Sequence, residues 1–132
     1  MDSGYSGTPQ LKKLGIVPGV RLDVVGAPEG WRFEADPVDV VLVHGDAPAD
    51  VIVAFCRSAA DVRASVEALE PRIRPAGALW IAWPRKAAGH VSDITDNLLR
   101  DVALPRGLVD VKVAAIDADW SGLKFVWRVV NR

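Results

Sequence analysis

Apolar residues in this chain come in short runs cut by turn-forming residues, and the character of the runs changes along the sequence. Residues 20–26, 38–43 and 51–56 read as strands. Pro18-Gly19, His44-Gly45 and the segment Asp46-Ala47-Pro48-Ala49-Asp50 supply the turns around them. The runs 51–56 and 78–83 are apolar at nearly every position, as expected for strands covered on both faces of a parallel sheet. Between them the period switches. Val62, Val66, Leu69 and Ile73 recur at helical spacing, with Arg63, Glu67 and Glu70 mostly off that stripe. Ser58 opens this helix and Asp61 completes a capping box, while Pro75-Ala76-Gly77 ends it.

A second helix is predicted over 92–104, with Val91, Ile94, Leu98, Leu99 and Val102 on one side and Pro105-Arg106-Gly107 as its stop. Asp93, Thr95 and Asp96 fall at its start, where acids and hydroxyls serve as caps, and His90 is read as a local cap. The tail, 109–117 and 123–130 joined by a short glycine-containing link, predicts an antiparallel hairpin. Asp117 and Asp119 then belong to its turn. At the other end Thr8-Pro9 opens a short helix over 10–14, and residues 1–7 are expected to form a loose arm.

These elements predict one domain over residues 1–132: a three-layer, Rossmann-like α/β fold with a mostly parallel sheet and a C-terminal antiparallel hairpin. The strand at 38–43 tests the scheme. If it and 51–56 both run parallel to 20–26 and flank it, the connection must return about 17 Å and shift about 10 Å sideways. Residues 44–50 reach about 25 Å when extended, so the crossover works only as stretched chain without a helix. An antiparallel placement of 38–43 is the alternative.

Composition narrows the function classes. The net charge of −1, with acids and bases interspersed, carries no electrostatic footprint for nucleic acid. No apolar run approaches the roughly 20 residues needed to span a bilayer, and the polar N-terminus is unlike a signal peptide. The lone Cys56 reads as a small buried hydrophobe, and a reducing cytoplasm is the expected compartment.

In open α/β sheets ligands bind beyond the carboxyl ends of the strands. The candidate ligand-binding residues there are Gly26, Glu29, Gly30, His44, Ser58, Arg85 and Lys86. Together with Arg57, in the strand end Cys56-Arg57-Ser58, they combine turn N–H donors, an imidazole, three cations and a helix N-terminus, a set suited to a small anion or nucleotide. No nucleophile–base pair and no metal-ligand spacing is evident, so neither a catalytic residue nor a metal is predicted. Trp80 and Trp83 should point to opposite sheet faces and Trp127 into the core. Trp31 and Trp120 fall in loops, where they are candidates for ligand or partner contact.

The succession of strands and helices, with Arg74-Pro75-Ala76-Gly77-Ala78-Leu79 before a strand and a hairpin at the end, resembles a shortened class I methyltransferase core. That resemblance implies S-adenosylmethionine on a glycine-rich turn after the first strand, with an acid at the end of the second strand holding the ribose. Here Asp23 and Gly26 stand, but the turn reads Ala27-Pro28-Glu29-Gly30 and His44 occupies the acid's place, so no cofactor is predicted. The chain also resembles a family of small bacterial proteins of unknown function. Shared phrases are Gly4-Tyr5-Ser6-Gly7-Thr8-Pro9, Lys13-Leu14-Gly15-Ile16, Ala27-Pro28-Glu29-Gly30, Trp83-Pro84-Arg85-Lys86, Leu108-Val109-Asp110-Val111-Lys112 and Trp120-Ser121-Gly122-Leu123-Lys124-Phe125. The leading expectation is a non-enzymatic binding or regulatory domain with an anion-accepting pocket. The alternatives are a minimal methyltransferase-like enzyme and a protein-interaction module, the latter including a homodimer if the last strand is an exposed edge.

Overall fold

The computed structural model describes residues 8–132, so the expected N-terminal arm and the residues 4–7 of the opening phrase lie outside the described residues. The strands are β1 (Arg21–Val25), β2 (Val41–Leu42), β3 (Val51–Phe55), β4 (Ala78–Pro84), β5 (Leu108–Ala115) and β6 (Trp120–Trp127). The helices are α1 (Gln10–Lys13), α2 (Ala59–Leu69) and α3 (Asp96–Ala103). One mixed sheet has the order β2-β1-β3-β4-β6-β5. The first three pairings are parallel, and β6 runs antiparallel to both β4 and β5. This is the expected architecture, and β2 takes the parallel option.

The stretched crossover is held at its middle and at its far end. Asp50 receives the Arg21 backbone N–H at 2.8 Å and its guanidinium at 2.9 and 3.1 Å. Arg72 donates Nε to the Ala47 carbonyl at 2.7 Å. The hydrogen bonds from Arg21 hold the Asp50 carboxyl below its ordinary value. A depressed carboxyl stabilises the fold above its unfolded pKa of about 4, and that contribution fades as pH falls through the folded value. Asp50→Asn is therefore expected to flatten the acid limb of a urea-midpoint profile measured from neutral pH downward.

Alternation places two cores on the two sheet faces. On one, Val62, Val66 and Leu69 of α2 and Leu99 and Ala103 of α3 pack on Ile52, Ala54, Leu79, Ile81, Leu123 and Phe125. On the other, Leu14, Ile16 and the segments carrying Trp31, Phe33 and Val40 cover Val51, Val53, Phe55 and Trp80. This third layer is thin: one helical turn plus coil. Its seam is closed by polar side chains. Trp80 Nε1 donates to the Leu14 carbonyl at 3.1 Å, and the buried Gln10 donates to the Ile116 carbonyl at 2.6 Å while accepting from Glu34 N at 2.8 Å. Trp80 and Trp83 do face opposite cores, and Trp127 is buried.

Several boundaries differ from the expected ones. Only Val41 and Leu42 of the run 38–43 pair as strand, because β2 is an exposed edge with little to pack on. Residues 92–95 are coil, and Val91, placed on the apolar side of the second helix, is 95% exposed. The last strand is interior, and β5 forms the sheet edge instead. That edge is blunted by a bulge between Asp110 and Lys112 and by the Lys112 charge, which removes the basis for pairing two copies through the last strand.

Gly77, between α2 and β4, is set by contact: a methyl there would stand 2.7 Å from the Ala49 carbonyl oxygen and 3.0 Å from that of Ile73. Both obstacles are backbone. Gly77→Ala is expected to cost about 1–3 kcal/mol, read as a lowered urea midpoint at constant m-value.

Candidate functional site

Turn chemistry after β1 shapes the site. Gly26 and Gly30 both have positive φ, at 72° and 77°. The Trp31 N–H returns to the Pro28 carbonyl at 3.0 Å, which closes a tight turn with Gly30 at its third position. A Cβ on Gly26 would lie 3.0 Å from the Phe55 carbonyl oxygen, so this turn packs directly on the end of β3. Arg57, the residue leading into α2, reaches back and donates Nη1 to the Gly26 carbonyl at 3.0 Å.

A cleft of about 480 Å³ opens at the carboxyl ends of β1, β3 and β4. Glu29, Gly30 and Trp31 form one wall, Arg57 and Pro84 the floor side, and His90, Asp117, Asp119 and Trp120 the other wall. Trp31 meets Phe33 and Phe55 edge-on at 4.8 and 4.9 Å, and Phe55 meets Trp120 at 4.9 Å. The Arg57 guanidinium lies 5.4 Å from the Trp120 ring centre.

Asp117 organises this constellation. Its Oδ2 accepts from Trp31 Nε1 at 2.8 Å, and its Oδ1 accepts the N–H groups of Asp119 and Trp120 at 2.8 and 3.0 Å. The turn role expected for Asp117 therefore extends across the cleft to the opposite wall. The His90 side chain caps no helix: its Nε2 lies 3.0 Å from Asp119 Oδ1 on the cleft rim, while its backbone N–H returns to the Arg85 carbonyl at 3.3 Å. Trp120, expected in a loop, is the first residue of β6 and pairs with Pro84.

The predicted ligand residues are brought together only in part. Glu29 and Gly30 line this cleft, and Gly26 lies beneath it, bonded to Arg57. His44 is exposed in the turn after β2 and lines no described cleft. Ser58 is spent on the helix: its Oγ accepts from Asp61 N at 3.1 Å, and Asp61 accepts from Arg57 N at 2.9 Å. A further N–H at that terminus, Ala59 N, donates to Asp93 Oδ1 at 3.0 Å. Asp93 thus caps α2, whereas Thr95 caps α3 by accepting from Leu98 N at 3.1 Å. The anion at the α2 N-terminus is the protein's own carboxylate. Arg85 and Lys86 line a separate cleft.

Two further groups are withdrawn from ligand chemistry. Asp23, the acid ahead of the turn, lies buried against Arg72, with Oδ2 and Nη1 2.8 Å apart. Burial pushes the Cys56 thiol up, against a smaller opposing effect of its hydrogen bond with the Ser65 hydroxyl. Among the described residues, no three His, Cys, Asp or Glu side chains converge as metal ligands, and no helix is long and apolar enough to cross a membrane.

Arg57 is one of the cations that the sequence brings to this end of the sheet, though it is not among the candidate ligand residues; the bridging role of Asp117 is not legible there. The bond between Trp31 and Asp117 joins residues 86 positions apart and leaves no local signal.

No protein family matches the chain, and no curated protein is similar to it in sequence. Solved structures are similar in fold. The fibrillarin pre-rRNA processing protein of Methanococcus jannaschii superposes with a TM-score of 0.57 at 13% identity, over 94% of this chain and 70% of that one. Aeropyrum pernix fibrillarin with natively bound S-adenosyl-L-methionine gives 0.55 at 14%, over 89% and 73%. The glycopeptide N-methyltransferase MtfA complexed with S-adenosyl-L-homocysteine gives 0.57 at 13%, over 94% and 91%. At such identities the likeness establishes architecture: this chain has a Rossmann-like fold similar to that of these proteins.

Proposed function

We propose that the protein is a cytoplasmic, non-catalytic binding domain, akin to the small bacterial proteins whose phrases it shares, and that it takes a nucleoside-type ligand in the aromatic cleft. The observation that carries this reading is the convergence of Trp31, Trp120, Arg57 and Glu29 around one opening at the strand ends. Tryptophan rings suit a planar base. The Glu29 carboxylate suits a pair of ribose hydroxyls, and the Arg57 guanidinium suits an anionic tail. Asp117 holds both walls before any ligand arrives, which lowers the ordering cost of binding.

The fold likeness favours a second reading, an S-adenosylmethionine-dependent enzyme. The residues here do not fit that cofactor at the usual place. No helix follows β1 to offer its N-terminus to a ligand, and the turn is seated on Phe55. Asp23 is engaged by Arg72, the end of β2 carries His44 rather than an acid, and the α2 N-terminus is filled by Ser58, Asp61 and Asp93.

Calorimetric titration with AMP, NAD, S-adenosylmethionine and S-adenosylhomocysteine tests the choice. Loss of one stacking ring is worth about 1–3 kcal/mol, so Trp120→Ala should weaken nucleotide binding roughly tenfold or more, and Arg57→Ala should do the same for the phosphorylated ligands. Selective binding of the S-adenosyl compounds, abolished by Gly26→Val and indifferent to Arg57→Ala, would establish the second reading instead.

A further inference from the structure

The β4–β6 ladder ends in two cross-strand pairs, Pro84 with Trp120 and Trp83 with Ser121. Neighbouring residues on a strand point to opposite faces, so one pair serves each side of the sheet. Pro84 and Trp120 line the aromatic cleft, on the face that α1 covers. Trp83 and Ser121 line a second cleft of about 340 Å³, on the face covered by α2 and α3. The segment that follows β4 contributes to both: His90 to the first, and Arg85, Lys86, Thr95 and Asp96 to the second.

We infer that this second cleft is a separate binding site for a phosphate group, either free phosphate or a small phosphomonoester. The charge of its lining is the first reason. Arg85 and Lys86 both line it, and among the described residues neither is ion-paired. Arg85 spends one nitrogen on the Ala118 carbonyl at 3.2 Å, and its backbone N–H is fixed to the Asp119 carbonyl at 2.9 Å. The guanidinium is thereby anchored to the hairpin turn, with donors to spare. The one acid in the lining, Asp96, is ion-paired with Arg100 at 3.3 Å, a cation it shares with Asp110 at 2.9 Å.

Donor chemistry is the second reason. The Thr95 hydroxyl accepts from Leu98 N, so its own proton is free to be donated outward, and Ser121 adds another hydroxyl. Thr95 also stands at the start of α3, where the helix dipole favours negative charge. Two cations and two hydroxyls on one concave surface match the acceptors of a phosphate dianion. Trp83 and the buried Ile94 give the cleft an apolar side for the carbon portion of an ester. The sequence pattern had joined Arg85 and Lys86 to the turn at Gly26–Gly30. The sheet itself separates them, so an anion bound here is independent of whatever fills the aromatic cleft.

The test is a chemical-shift titration of the full chain with inorganic phosphate and with glycerol 3-phosphate, each against sodium chloride at matched ionic strength. Saturable shifts are expected at the amides of residues 85–87, 95–97 and 121. The midpoint should rise at least ~10-fold in Arg85→Ala/Lys86→Ala, the loss of two charge-assisted contacts, and stay unchanged in Arg63→Ala, a charge change elsewhere. Tighter binding of the ester assigns an esterified ligand, and equal binding assigns free phosphate; both outcomes uphold the site. Linear shifts reproduced by chloride, indifference to the double substitution, or loss in Arg57→Ala instead would overturn it. The last result would place the anion in the aromatic cleft and leave that proposal standing.

Discussion

Arg72→Ala is expected to destabilise the protein by about 3–5 kcal/mol, enough to bring a domain of ordinary stability close to unfolding. Arg72 is only 5% exposed, and its guanidinium does two jobs. It neutralises Asp23 on β1 at 2.8 Å and ties the crossover down through the Ala47 carbonyl at 2.7 Å. Its own carbonyl accepts from Ala49 N at 2.9 Å, so chain and side chain clamp the same loop. Removing the cation strands a carboxylate in the sheet and frees the only connection between β2 and β3. Asp23→Ala should cost a similar amount for the mirror reason. The paired change Asp23→Leu/Arg72→Met should recover most of the loss, because it leaves no uncompensated charge. Urea unfolding of the three variants checks this. Single changes costing less than about 1 kcal/mol would mean that the pair is solvated and contributes little.

Asp117→Ala should combine a stability loss of roughly 2–4 kcal/mol with a change in the cleft itself. Its carboxylate receives three N–H donors, and hydrogen bonds to a charged group are worth about 1.5–3 kcal/mol each before solvent replaces part of the loss at this half-buried turn. One of the three is the Trp31 indole, which would lose its anchor to the hairpin. The expected signature is a marked shift of the Trp31 indole proton resonance together with a lower urea midpoint. A variant with normal stability and an unmoved indole would show that the two walls are not tied through this residue.

The sequence made the sheet legible because the parallel core leaves an unusual trace. Residues 51–55 and 78–82 are buried on both faces and are apolar at every position. The helix α2 was equally plain, since its stripe and its Ser58 cap are local features. What escaped were the long-range polar contacts. Asp23 reads as an acid before a cofactor turn until Arg72, 49 residues away, is seen against it. Asp93 reads as a cap for the helix that follows it, yet its carboxylate accepts the first N–H of α2, 34 residues earlier. The position of the site was likewise half legible. Strand ends could be counted, and Glu29 and Gly30 line the cleft found there. Which sheet face each end serves depends on pleat and register, and that is why Arg85 and Lys86 separated from the turn.

Mapping a ligand onto the folded chain decides between the two readings of the cleft. Amide and indole resonances are followed while AMP, and separately S-adenosylhomocysteine, is added to the wild-type protein. Perturbations from AMP at Glu29, Gly30, Trp31, Arg57 and Trp120, with no change at residues 43–45 or 58–61, are the predicted result. Perturbation by S-adenosylhomocysteine at Gly26, His44 and residues 58–61, with none from AMP at the tryptophans, would contradict it and return the chain to the cofactor chemistry of its structural neighbours.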